Sequence, residues 1–535
     1  MAKGAEQSVI VQTSIVGSSG RDDEVEAGPS TVAKMSSSTS DENYKLVELS
    51  DHEILVEFKE GSPANPNNWD FNKKVYNVLI ALFVVLNSGV SSSLPSNAVP
   101  AIMEDFHQHG DGQKVLPTAI FLIGYVVGPL AFSPLSETIG RKPVLTWTFT
   151  IFVLATLACA LAPNWSSLLV FRAICGTMGA APQTVVGGVY ADMFSDLRSR
   201  GRVMAFYMSA ASFGPIVGPI ISGCSVQYGW RWTFRIDLIF AGISWIGLMF
   251  MSETFAPVIL KHKAAKLRKE SGCSSYLSRQ ELQNGGFRYS TTQIITRPIT
   301  MLLFEPIILF TALYISLAYS LVFFYFQAYP IIFEGTYNFD VQTTSLTYIP
   351  SNRHRRRLLR PNISILRHNL RESQSSRKGL DHQPRTAPVP ISCVAGPCLT
   401  ISLFWLGWTA NRNIHWIAPV LSGLLFGVGY QMIFISLLTY VTDAYKIYSA
   451  SALAASVILR SIVGALFPLA ADPLYSTLGV GWATSVLGFA SLACIPIPFA
   501  LLYAGPWIRT RSPFCQRLLE EDLSKERAER TVEGV

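Results

Sequence analysis

Pro134-Leu-Ser-Glu-Thr-Ile-Gly-Arg-Lys-Pro143 lies between two long apolar runs, one ending near Phe132 and one starting at Val144. An acid, a glycine and two adjacent cations share a connection too short to be a domain. Lys and Arg gather in the cytoplasmic loops of membrane proteins. A loop of this kind therefore fixes a side, and every other crossing can be counted from it.

The composition agrees. The chain of 535 residues is 49% hydrophobic and only 15% charged, against about 25% charged residues in soluble domains. Mean hydropathy is +0.31. Lipid rather than water must solvate most of such a chain. The eight cysteines show no zinc or disulfide spacing and read as small packing residues. The net charge of +7 belongs to one segment, because residues 351–386 hold ten Arg and Lys and two acids, a local +8. The basic balance is no argument for nucleic-acid binding.

A crossing helix needs about 20 apolar residues. Eleven such runs are read, at about 75–93, 114–134, 144–162, 167–190, 203–225, 232–252, 301–333, 391–409, 415–440, 449–471 and 481–504. The polar residues 1–68 show no sustained period and are expected to form a disordered cytoplasmic tail, with no signal peptide. Residues 69–255 are expected to form one helical bundle, 256–298 a middle loop, 299–506 a second bundle and 507–535 a polar tail. Charge orients them. Arg141 and Lys142, Arg198, Arg200 and Arg202, and the lysines of 261–269 fall on one side. Glu104, Asp105 and Asp111 fall on the other, so the basic side and both termini are expected in the cytoplasm.

Eleven crossings would leave the termini on opposite sides. Residues 343–350 read as the opening of a further span, and the sequence then turns Arg-rich at Ser351. Each charge at mid-bilayer costs about 2.5–3.5 kcal/mol even on a lenient scale, so no helix could carry ten across. Residues 351–386 are read as an aberrant basic segment, a translated intron or frameshifted exon, that has displaced one helix of the second bundle. The competing reading is a genuine polar insertion.

Four motifs carry chemistry. The first is the loop 134–143, where Gly140 permits a tight turn. The second is Leu168-Leu-Val-Phe-Arg172-Ala-Ile-Cys-Gly176-Thr-Met-Gly179. Its Arg172 is costly inside an apolar run and either faces a partner or snorkels to the headgroups. The third, Ser212-Phe-Gly214-Pro215-Ile-Val-Gly218-Pro219-Ile-Ile-Ser-Gly223, combines bending prolines with close-packing glycines. The fourth pairs Gly229-Trp230-Arg231-Trp232 with Ser252-Glu253-Thr254-Phe255-Ala-Pro257, its tryptophans read as interface anchors.

Together these motifs resemble the major facilitator superfamily, in its fungal twelve-span drug:proton antiporter branch, over about residues 65–350 and 387–512. Pro134 and Glu137 depart from the commoner Gly and Asp of the family's loop signature. The resemblance implies an all-α fold of two six-helix bundles rocking about a midplane cavity. It makes Glu137, Gly140, Arg141 and Lys142 a gating latch, links Arg172 to proton coupling, and reads Gly214, Pro215, Gly218, Pro219 and Gly223 as an antiporter motif associated with export.

Candidates for the cavity are Asn87, Gln183 and Gln431, polar groups inside spans, and the aromatic run Tyr314, Tyr319 and Phe323 with Gln327. Aromatic faces accept flat apolar or cationic ligands. No phosphate-binding loop, nucleophile elbow or metal-ligand cluster is present in the sequence. The expectation is a monomeric plasma-membrane transporter without cofactor. It would export small hydrophobic or cationic compounds, such as drugs, toxins or fungal secondary metabolites, in exchange for protons. The alternatives are a polyamine exporter, a membrane sensor, or an inactive product if the break at Ser351 is real.

Overall fold

Long apolar runs leave the backbone one workable conformation in lipid, the helix, because every N–H and C=O must be bonded within the segment. The computed structural model describes residues 43–50, 53–272, 275–283, 287–348, 389–445, 449–512 and 514–516. Two strands, β1 (Tyr44–Ser50) and β2 (Glu53–Phe58), come first. The first bundle follows: α1 (Phe71–Ser93), short α2 (Val99–Asp105), α3 (Leu116–Ile139), α4 (Arg141–Ala160), α5 (Trp165–Met193), α6 (Leu197–Ser225) and α7 (Trp230–Met249). Then come α8 (Ala256–Ser271), β3 (Tyr276–Leu277), α9 (Arg279–Gln283) and α10 (Phe287–Phe304). The second bundle holds α11 (Pro306–Tyr329), short α12 (Val341–Leu346), α13 (Val389–Thr409), α14 (Ile417–Tyr445), α15 (Ser449–Leu466), α16 (Ala471–Cys494) and α17 (Pro496–Arg511).

Ten stretches among the described residues are long and apolar enough to cross a membrane. One of them runs 55 residues, from Ser451 to Gly505. At full helical rise that is roughly 80 Å, more than twice a bilayer core. It turns at Gly479, whose φ of 69° and ψ of 172° leave the helical region. This stretch is therefore long enough for two crossings, which gives eleven candidate crossings among the described residues. The turn falls within the connection 472–480 that the sequence left between its last two runs.

In the first bundle α3 and α4 pack on α5, and α1 packs on α6 and α7. In the second, α13 packs on α14 and α16, and α11 on α15. The halves meet where α3 runs along α15. Further cross-half contacts lie at the end remote from Gly140: Lys114 and Asp472 are 3.7 Å apart, and Asn97 Nδ2 donates to Ser345 Oγ at 2.8 Å. Ser345 belongs to α12, the opening of the span that the sequence breaks off. This opening is helical, capped by Asp340 and packed against α6. The segment 351–386 lies outside the described residues.

One expectation is corrected. Residues 44–58, read as part of a disordered tail, form a hairpin in which Tyr44 pairs with Phe58 and Leu46 with Val56. Strand β2 then pairs in parallel with β3 from the middle loop. The sheet covers α8: Val56 and Ala264 are fully buried, with Ile54, Leu260 and Leu267 packed around them. The runs Tyr44–Leu49 and Ile54–Phe58 are too short to give a sustained period, yet their β-branched and aromatic content suits strands. Arg268 closes the unit, donating to Tyr276 O at 3.0 Å and Glu281 Oε1 at 2.7 Å. That donor, with the Ser278 N–H and hydroxyl, outweighs partial burial and holds the Glu281 carboxyl below its usual range.

Burying a valine side chain is worth about 1.5–3 kcal/mol. Val56→Asp should therefore release the hairpin from α8 and open residues 44–58 to limited proteolysis. Wild-type protection would contradict the sheet.

Candidate functional site

The glycine- and proline-rich stretch on α6 packs at backbone distance. A Cβ on Gly214 would lie 2.7 Å from Gly89 Cα, so α6 and α1 cross backbone to backbone. A Cβ on Gly218 would lie 2.8 Å from Val90 O, and one on Gly223 would strike Ser345 Oγ at 1.5 Å. Pro219 lacks an N–H, which orphans the carbonyl of Pro215 one turn back. Ser93 of α1 donates to that carbonyl at 2.5 Å. Asn97 continues the seam, donating to Pro219 O at 3.0 Å and reaching Ser345.

Arg172 does not snorkel. It is 1% exposed. Its Nε donates to Pro117 O at 2.9 Å, and its two terminal nitrogens to Ser91 O and Ser92 O at 2.9 and 3.3 Å. The guanidinium lies 4.4 Å over the Phe121 ring. Ser91 and Ser92 close α1, where carbonyls lack helical partners and a cation is favoured. Beside Arg172 stands Asp237 on α7, fully buried. Among the described residues neither of its carboxylate oxygens has a hydrogen-bond partner. The depth of Asp237 in the bundle could not be read from spacing.

The loop 134–143 wraps a carboxylate. Gly140 has φ +114°, open to glycine and strained for other residues. Glu253, from the Ser-Glu-Thr-Phe motif after α7, accepts the Arg141 and Lys142 backbone N–H groups, both at 3.1 Å. It thereby caps the N-terminus of α4. The Arg141 side chain is 3.2 Å from Asp192 Oδ2, 2.6 Å from Ser136 Oγ and 4.8 Å from the centre of Phe255. Glu137 is farther, at 3.7 Å. Gly188 leaves room for the guanidinium, which a Cβ there would meet at 2.7 Å. The sequence grouped Glu137 with Arg141; the nearer acids are Asp192 and Glu253. Both lie far along the chain, and only the fold brings them in. All these partners of Arg141 and Lys142 belong to the first bundle.

The cavity candidates divide. Asn87 Nδ2 donates to Ser244 Oγ at 3.3 Å, and Gln183 Nε2 to Val85 O at 3.3 Å. Tyr314 is fully buried with no partner for its hydroxyl. Tyr319 and Phe323 meet edge to face, centroids 5.2 Å apart. Gln327 is half-buried. Gln431 is buried with both amide atoms unbonded among the described residues. A small void of about 20 Å³ lies among Tyr325, Tyr329, Tyr348 and Phe426.

At the remote end, Trp230 is 4% exposed, so it is no lipid anchor. Its indole N–H donates to Asp105 Oδ2 at 3.0 Å, and Arg231 adds a contact at 3.1 Å. The indole bond, more than the cation, holds the Asp105 carboxyl below its usual range.

The sequence profile of the Major Facilitator Superfamily matches residues 81–351. Relatives span most of the chain. The major facilitator superfamily multidrug transporter mdrA of Aspergillus fumigatus is 33% identical over 86% of this chain and 76% of its own. Polyamine transporter 3 of Saccharomyces cerevisiae is 34% identical over 88% and 75%. The chain belongs to the major facilitator superfamily. It is a transporter of the fungal drug-efflux branch rather than an enzyme. The xylose transporter XylE from E. coli, in a partially occluded inward open conformation, shares the fold. Its TM-score is 0.55 over 80% of this chain and 98% of that one, at 14% identity.

Overpacking a tight contact costs about 1–3 kcal/mol. Gly214→Ala should lower the melting temperature of the detergent-solubilised protein by several degrees and impair transport. Gly242→Ala, whose Cβ meets nothing within 4 Å, should be neutral or slightly stabilising. Equal melting of the two variants would contradict the α1–α6 seam.

Proposed function

We propose that this transporter exports small, hydrophobic, ring-bearing compounds across the plasma membrane in exchange for protons. It acts as a monomer by alternating access, with the basic end and both termini in the cytoplasm. The observation that carries the coupling is Asp237. A carboxylate buried at depth in a lipid-solvated bundle is costly unless it is paired or protonated. Asp237 has the Ser91 side chain and the Arg172 charge beside it, and neither carboxylate oxygen reaches full hydrogen-bond geometry among the described residues.

Protonation would release the pull of Arg172, which grips the end of α1. Helix α1 is fused to α6 along the glycine seam, so a proton on α7 can bias the helix that meets the second bundle through Asn97 and Ser345. The direction of transport rests on the antiporter motif and on the multidrug relative. The excess of Lys and Arg at the Gly140 end supports the orientation.

A relative named for polyamines favours a second reading, export of organic polycations. The aromatic faces of α11 would suit it, but polycations want carboxylates. Among the described buried residues of the second bundle the only acid is Glu305, bonded to Tyr445 at 2.9 Å, against the central cation Arg460. The ring-bearing cargo is the better fit.

Asp237→Asn should keep the fold and cargo binding but lose efflux driven by an imposed proton gradient, by about tenfold or more. The measurement is dye efflux from vesicles or pump-deficient cells at several pH values. Wild-type rates with unchanged pH dependence would exclude Asp237 as the coupling site.

A further inference from the structure

Arg460 sits eleven residues into α15, at the depth where α15 faces α11 and α14. It is 8% exposed. Among the described residues it makes no hydrogen bond and no ion pair, and its Nε is buried without a partner. Its contacts are two rings, Tyr319 on α11 at 5.3 Å and Phe434 on α14 at 5.6 Å from the guanidinium. Cation–π contact at such distances compensates part of the cost of burial; it does not supply a counter-ion or use the guanidinium's donors.

The surroundings repeat the deficit. Gln431, one turn before Phe434 on α14, is 5% exposed and has neither amide atom bonded. Tyr319 stands edge-on to Phe323 at 5.2 Å and tilted to Phe434 at 6.2 Å. Gly464, one turn beyond Arg460, lets α15 come close, since a Cβ there would lie 3.0 Å from the Tyr319 ring. From the first bundle, Tyr125 and Tyr207 lie within reach of the Arg460 charge. Both hydroxyls are already committed, to Ser88 O and Gln183 O. A buried fork of donors and a set of rings thus converge where the two halves meet, with an unbonded amide one turn from Phe434 on α14, and no described carboxylate answers the cation.

We propose that this cluster is the docking point for the acidic group of an aromatic carboxylate cargo. Arg460 would take the two carboxylate oxygens with its paired N–H groups, Gln431 would donate to one of them, and Tyr319, Phe323 and Phe434 would hold the ring. The proposal rests on the transport reading above and narrows its cargo class. An acid that binds here supplies the missing counter-ion, whereas a neutral or cationic analogue leaves Arg460 unpaired or repels it.

The test uses the purified full chain in nanodiscs of uncharged lipid. The probes are 2-naphthoate, its methyl ester, 2-naphthylmethylammonium and acetate. Naphthoate should bind about tenfold or more tighter than the ester and the ammonium, and acetate should compete poorly. Arg460→Gln should remove that advantage while ester binding stays within about twofold, and Arg460→Lys should retain part of it. If Arg460→Gln does not fold, Arg460→Lys and Gln431→Leu carry the test, each weakening naphthoate but not the ester. Equal binding of acid and ester, or parallel loss of both in these variants, would overturn the proposal. Acetate competing as well as naphthoate would reduce the cluster to a general small-anion site and also overturn it.

A transport arm separates this from the export reading. Naphthoate that binds through Arg460 but is not moved under a proton gradient would refute export and leave the docking site standing. Wild-type export of acid and ester, with only the acid lost in Arg460→Gln, supports both. Loss of acid, ester and ammonium transport together, with binding intact, would assign Arg460 to the coupling cycle instead.

Discussion

Helix α1 crosses α6 with no side chain between them. Gly89 faces Gly214 at a separation that not even one methyl group could enter, and the rest of the first bundle is set by that approach. The close crossing puts Ser93 within reach of the carbonyl that Pro219 orphans, and puts Asn97 where it bonds both Pro219 O and Ser345 across the halves. On its other side α1 is held by Arg172 through the carbonyls of its last turn. It is therefore gripped by α6 along its length and by α5 at its end. A change at either grip must move the helix that carries the cross-half contact.

The buried polar groups fall into two kinds, and the bilayer explains why the difference matters. Without water, an unbonded polar group pays its full desolvation cost. Gln183, Ser93 and Arg172 donate within the first bundle, and Asn87 and Asn97 donate through their amide nitrogens, Asn97 also across to Ser345; these bonds hold helices at fixed distances. Asp237, Gln431 and Arg460 are buried and unbonded. Such groups are costly in a static protein and suit one that meets protons and solutes on different strokes of a cycle. The first kind lies mostly along α1 and its neighbours; Gln431 and Arg460 lie in the second bundle, and Asp237 lies behind Arg172. That separation lets a rigid scaffold move around reactive points without being dismantled.

Much of this was legible in the sequence. The crossings, the loop with Gly140, the small-residue face of α6 and the cost of an intramembrane Arg172 all follow from apolar length, charge and glycine spacing. What was hidden depends on contacts distant in the chain. Asp192 and Glu253 become partners of Arg141 only because α5 and the end of α7 close beside α4. The hairpin at 44–58 is stable only against α8, some two hundred residues later, so its own short runs could not announce it. Arg460 is a different case. It stands in mid-span, and the rule applied to Arg172, that a charge at membrane depth needs a reason, applies equally to it. Its ring partners Tyr319 and Phe434 lie on other helices, so spacing alone did not single it out.

Among the described residues the polar contacts that join the halves at the end remote from Gly140 are few and weak. Lys114 and Asp472 are partly exposed at 3.7 Å, a kind of pair worth about 0–1 kcal/mol. The Asn97–Ser345 hydrogen bond adds about 1 kcal/mol net. Among the described residues the contacts of Arg141 and Lys142 lie within one bundle, so they stiffen that half rather than fasten it to the other. A closure of a few kcal/mol lies within what neutralising one buried carboxylate, or filling one buried counter-ion site, can offset. On the proposed coupling, Arg172 with Asp237, and Arg460 with the anion proposed for it, are of a size to tip the balance between the two ends. Stronger fastening would make the carrier more stable and would leave a proton too weak to move it.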